Sequence, residues 1–153
     1  MRHPIKHRLA WSIAGILTTA ALVAAASPGQ TAFEHRRDVM KQLGANFYLG
    51  VGRVVKGRAA YGPDTVTAAE ALVDLTAALD TLFPPGSDVP DSKMKRQLLA
   101  DPAKSAALAA AVRADATALL PVVRGGDKAA IAASYKSLSD SCEACHSQFR
   151  QEE

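Results

Sequence analysis

Apolar positions recur along most of this chain with the period of an α-helix. In residues 31–56, Arg36, Met40, Leu43, Phe47 and Val54 fall at three-, four- and seven-residue steps, which places them on one helix face. Gly44, Gly50 and Gly52 are unfavourable inside a helix, so close backbone packing or a bend is expected there. A second segment opens after Gly62-Pro63-Asp64, repeats Val66, Leu72, Leu75, Leu79 and Leu82, and stops at Pro84-Pro85-Gly86-Ser87. Residues 88–100 read as a loop with a short helical piece at about 93–99. Asp101 followed by Pro102 marks the start of a third helix, as N-cap and first helical residue. It carries Leu108, Val112 and Leu119, and Pro121 with Gly125-Gly126 marks its end. Asp127 caps a fourth, with Ile131, Tyr135, Leu138, Cys142, Cys145 and Phe149 along one side. No alternating strand pattern or internal repeat interrupts this order. The prediction is an all-α domain, an antiparallel up-down-up-down four-helix bundle with mostly short connections.

That topology brings particular residues together. The end of the fourth helix lies beside the start of the first, so His146 is expected at the same end as Arg36, Met40, Leu79, Phe83 and Leu98. Met40 lies roughly 13 Å into its helix at 1.5 Å per residue. His146 lies a similar depth from the far end of the fourth helix, so the two are expected to face one another across the core.

Composition supports helices, since alanine is abundant and aromatics make up 5% of the 153 residues. The N-terminus changes the charge picture. Arg2, Lys6 and Arg8 precede an apolar run from Leu9 to Ala26 that ends in small residues, the pattern of a secretory signal peptide. A retained membrane anchor is the alternative, as the run sits at the lower edge of spanning length. With cleavage near Ala26, residues 1–26 are the signal and 27–153 the domain, free of the membrane. The full chain has 18 Lys+Arg and 15 Asp+Glu; the signal holds three of the cations, leaving a mature domain of zero net charge. A nucleic-acid partner thereby loses its main electrostatic support.

The chemistry concentrates in CEACHSQFR, residues 142–150, which contains both cysteines of the chain. C-x-x-C-H is the attachment signature of a c-type haem. Cys142 and Cys145, three residues apart on a helix, can each form a thioether to one porphyrin, and His146 can bind its iron. Such attachment is normally completed outside the cytoplasm, in keeping with the export signal. A thioredoxin-like pair belongs after a strand at a helix start, where a thiol pKa falls. Zinc as a rule takes four ligands, and the mature chain adds only His35 to Cys142, Cys145 and His146. A disulfide three residues apart closes no long loop and stabilises little.

With these residues in hand, the chain resembles class II cytochromes c, the cytochrome c′ family. The resemblance rests on CEACHSQFR, on RRDVMKQLG (36–44), VVKGRAAYG (54–62) and LFPPGS (82–87), and on LLADPAK (98–104). It implies one covalent haem c near one end of the bundle and residence in the periplasm with redox partner proteins. A homodimer is compatible with it. It also implies that Arg36 or its neighbour Arg37 pairs with a haem propionate, and that Met40 stands at the iron's sixth position. Two departures accompany it. Many members carry an aromatic near Leu99 and a phenylalanine near Ser105, so a more open haem surround is expected here. The first helix is also one residue longer before VVKG than in many members.

The family holds two kinds of site, an open iron that binds NO or CO and a methionine-ligated electron carrier. Met40 favours the second, with His146 and Met40 as axial ligands; packing without ligation is the other role for such a side chain. A haem-free helical interaction module is a third reading. A solvated surface position is the alternative for Arg36; Arg150, one turn after His146, is expected near the proximal face of the haem, the alternative being a cation suited to the helix C-terminus. No acid–base pair or nucleophile constellation is visible, and an enzyme is not expected.

Overall fold

The computed structural model describes residues 26–151; the expected export signal, residues 1–26, falls almost entirely outside the described residues. Helix α1 (Pro28–Gly44) starts three residues before the periodic pattern does. Ser27 is its N-cap, accepting a 3.2 Å hydrogen bond at Oγ from the Gln30 N–H, and Pro28 follows at the first helical position. The rod then winds as a π-helix over Ala45–Val51 and returns to α-helix in α2 (Gly52–Val55). A π-turn holds more residues than an α-turn, so this segment can accommodate the additional residue expected before VVKG. Arg36 ahead of it and Val54 behind it are both buried.

Three of the four glycines in this rod, Gly29, Gly50 and Gly52, sit where another segment passes close. A Cβ on Gly50 would lie 2.3 Å from the Ala68 Cβ, and one on Gly52 would lie 2.7 Å from the Tyr135 hydroxyl. The rod therefore packs backbone-close on its neighbours, which outweighs the propensity lost by glycine. Phe47, inside the π segment, stacks on Tyr135 with ring centroids 4.1 Å apart and planes 9° from parallel.

The second bundle member is α3 (Pro63–Ala77), extended by a 3-10 turn over Leu79–Thr81 before the chain turns at Pro84-Pro85. The short helix of the next loop is α4 (Gln97–Ala100), a few residues later than expected. Helix α5 (Pro102–Gly125) begins as its sequence demands, Asp101 Oδ1 accepting from the Lys104 N–H at 3.0 Å. It runs on through Pro121 to the Gly125-Gly126 pair, the second part of the expected stop. Pro121 lies on the exposed side of the last turns, where water can serve the Thr117 carbonyl that proline leaves without a partner. The helix stops at Gly126, with φ +74°. Helix α6 (Lys128–Phe149) is capped by Asp127, whose Oδ1 accepts from the Ala130 N–H at 2.8 Å.

The rod packs on α3, α3 on α5, and α5 on α6, giving the expected antiparallel bundle. Val51, Leu72, Leu119, Val123, Ile131 and Leu138 form its buried centre. A smaller cluster of Met94, Leu98 and Phe149 closes the end that carries CEACH. There the loop before α4 is tied to the C-terminus: the Lys95 N–H donates to the Phe149 carbonyl and the Gln151 N–H to the Lys93 carbonyl, both at 2.7 Å.

Candidate haem site

One chamber of about 690 Å³ occupies this end of the bundle. Helix α6 supplies one wall. Cys142 and Cys145 lie one turn apart on it, both half-buried with free thiols, and His146 follows; all three line the chamber. Helix α1 contributes Arg36, Met40 and Leu43 to the lining. Leu72 and Leu79 from the α3 side, Val112 of α5 and Leu138 of α6 make it largely apolar. The structure thus gathers His146, Arg36, Met40, Leu79, Phe83 and Leu98 around one space, as the topology requires.

The protonation environment separates the possible uses of the cysteines. Burial, then Cys145 and Asp115, push the Cys142 thiol up to about 11, and burial raises Cys145 as well. Neither thiol is prepared as a thiolate for a redox pair. Burial lowers His146, with Arg150 adding to the effect and Glu143 opposing it, so the imidazole is held neutral with a lone pair to offer a metal. Among the described residues no group of three or more His, Cys, Asp or Glu is arranged to hold a bare metal ion. Two thiols and an imidazole on one wall of an apolar space within the ordinary ligand-pocket range fit a covalently held haem.

Arg36 is not the solvated arginine that the sequence allowed. It is 6% exposed and lies between the rings of Phe33 and Phe83, 5.8 and 5.6 Å from their centroids. One terminal nitrogen donates to the Leu82 carbonyl at 3.0 Å and the Ser87 hydroxyl at 2.9 Å. The other donates to the Ser87 carbonyl at 2.8 Å and the Ser92 hydroxyl at 2.9 Å. All four acceptors are neutral oxygens of the 82–92 loop, so the guanidinium ties that loop to α1. Arg37 also lines the chamber, with its side chain half exposed, a 3.9 Å pairing to Asp38 and its guanidinium 5.5 Å from the Phe33 ring centroid. Arg150 is exposed and lines the chamber beside His146, whereas His35 is not among its walls.

Ser87, Ser92 and Met94 carry no sequence signal of their role, because they sit in an aperiodic loop. Phe33 did have one, its three-residue spacing from Arg36 on the same helix. Met94 places a second thioether in the chamber wall, but it packs with Leu98 and Phe149, near Cys145.

Fold and site together define a c-type haem protein built on a four-helix bundle. The comparisons with known proteins agree. The family profile described as Cytochrome C′ matches residues 31–150, and the chain belongs to the cytochrome c′ family, carrying one covalently attached haem c. A curated cytochrome c′ of Rhodospirillum rubrum is 27% identical over 135 residues, spanning 88% of this chain and 90% of that one. Among solved structures, a ferrous variant of cytochrome c prime from Alcaligenes xylosoxidans with bound NO matches with TM-score 0.76 at 22% identity, over 84% of this chain and 100% of that chain. A carbon-monoxide-bound variant of the same protein matches with TM-score 0.75 at 23% identity, over 82% and 98%. These structures share the fold.

Proposed function

We propose that this is an exported haem protein whose iron, held by His146, takes up a diatomic ligand such as NO or CO on the Met40 side. The observation that carries this reading is the match, over most of the chain, to cytochromes c′ solved with NO or CO bound. The haem supplies an iron that accepts one electron or one small ligand. Cys142 and Cys145 fix it covalently to α6, and His146 provides the protein ligand on that side. Leu43, Leu72 and Val112 exclude water from the chamber, which favours an apolar gas over a charged one. Arg36, a buried cation with only neutral partners, stabilises a propionate through its charge; Arg37 is free to pair with one directly.

Met40 supports a second reading. It lines the chamber from α1 and is half-buried. An unbranched thioether there can close on the iron as its sixth ligand, giving a His/Met electron carrier with a raised potential. In either case export relies on residues 1–26, cleavage falls near Ala26, and periplasmic partner proteins exchange electrons with the haem.

Absorption spectra of the purified protein, oxidised, reduced, and reduced under CO, separate the two. We expect a high-spin ferrous spectrum that shifts on adding CO, with Met40→Leu leaving the coordination class unchanged. A low-spin spectrum that CO does not move, converted to a CO-responsive one by Met40→Leu, would replace the gas-binding reading with the electron carrier.

A further inference from the structure

The rod ends, at the far end of the bundle from CEACH, in a turn that gathers positive charge. The Arg58 N–H donates to the Arg53 carbonyl at 2.7 Å and the Gly57 N–H to the Val54 carbonyl at 3.0 Å, while Gly57 takes φ +66°. This is a Schellman motif, which sets the residue three before the cap beside the residue two after it. An apolar pair commonly fills those positions. Here they are Arg53 and Arg58, with Lys56 as the cap between them, and all three are exposed. Arg36 holds loop oxygens, and Arg37, Arg96, Arg113 and Arg124 are paired with Asp38, Asp88, Asp80 and Glu70. The side chains of Arg53 and Arg58, by contrast, make no hydrogen bond or ion pair with any described residue. The Tyr61 hydroxyl donates to the Val123 carbonyl at 2.8 Å and pins the loop after the turn to the end of α5. Lys128, exposed in the first turn of α6, adds a cation at this end, against Asp64 and Asp127. Like charges held side by side repel, and the negative end of the rod's dipole offsets only part of that.

We propose that this end of the bundle is a docking surface for an acidic segment of a partner protein, with Arg53 and Arg58 taking its carboxylates. A guanidinium presents a planar fork that matches a carboxylate bidentately, and a turn held by backbone bonds pre-organises two of them. Added Cβ atoms at Gly57 and Gly62 would meet nothing within 4 Å, so the ground between the cations is open surface on which a chain can lie. Residues 27–153 carry no net charge, so attraction of an acidic partner depends on a local patch such as this one. Lipid-binding basic stretches carry about 4–8 cations. With Asp64 and Asp127 set among its few cations, this patch suits the mixed face of a protein better than a bilayer. Lys128 and His146 lie roughly 27 Å apart along α6 at 1.5 Å per residue, so a partner held here leaves the haem chamber uncovered. The docking surface does not depend on what the iron binds.

The test uses haem-loaded protein and a decaglutamate peptide as the probe, titrated at low salt and followed by NMR through the arginine Nε–H signals. The expected result is movement of the Arg53 and Arg58 signals. Arg53→Gln combined with Arg58→Gln should weaken binding about tenfold, the loss of two exposed ion pairs. Lys104→Gln combined with Lys136→Gln removes the same charge from exposed positions elsewhere and should change affinity by less than about twofold. None of these substitutions touches a buried side chain or a backbone bond of the turn, and Arg58→Glu alone, which should abolish binding, gives a second check. Equal weakening in the two double variants, or signals that move at Arg37 and Arg150 instead, overturns the proposal. So does absence of peptide binding, whether or not vesicles of phosphatidylglycerol bind in its place. The CO spectrum of the same samples reports on the iron separately, so either reading can fail without the other.

Discussion

Replacing Cys142 and Cys145 together with alanine is expected to abolish covalent retention of haem. Both thiols line the same wall of the chamber and both are free, so each has access to the porphyrin rim. The double variant leaves His146 and the apolar walls in place, and pigment can still associate, but only reversibly. Acidified acetone is the discriminating measurement. From the native protein it should extract no colour, from the double variant all of it, and from Cys142→Ala alone very little, since one thioether remains. Retention of haem in the double variant would mean that attachment does not use these sulfurs.

Arg36→Met should destabilise the holoprotein by about 1–3 kcal/mol, because it strips partners from buried loop oxygens while keeping an apolar side chain between Phe33 and Phe83. Some of the loss is offset by no longer burying a cation, which keeps the figure from reaching that of a broken buried ion pair. Arg37→Met, by contrast, should stay within about 0.5 kcal/mol, as its side chain is half exposed and weakly paired. Urea denaturation of both variants checks the contrast. Equal effects would show that the 82–92 loop is not held by Arg36. The reduction potential then separates the electrostatic roles, since the arginine that faces a propionate shifts it when neutralised.

The fold was legible because its signals are local and redundant. Asp101-Pro102, Asp127 and the leucine repeats of α3 each state a boundary or a face without reference to the rest of the chain. Cys142, Cys145 and His146 were legible for the same reason, being contiguous. Arg36 shows where such reasoning stops. A charged residue next to another, Arg37, looks solvated from its neighbours in sequence, and its hydrogen-bond acceptors all lie 46 to 56 positions away. Pro121 shows the opposite failure, a strong local stop signal overridden because its exposed position lets water replace the lost hydrogen bond.

The π-helical winding over Ala45–Val51 has a consequence for how this chain tolerates change in length. A residue gained inside an α-helix would normally rotate everything downstream by about 100°, carrying one face out of the core. Here the wider turn can spool an additional residue locally, on a stretch whose outer side carries Tyr48 and Leu49, 59% and 66% exposed. The rod therefore behaves as two independently registered halves joined by a take-up reel. The half bearing Met40 can keep its setting against the haem while the half bearing Gly52 keeps its own against Tyr135. Single-residue insertions and deletions across relatives should accumulate in this stretch, because it is the one part of the rod where chain length and side-chain aim are uncoupled.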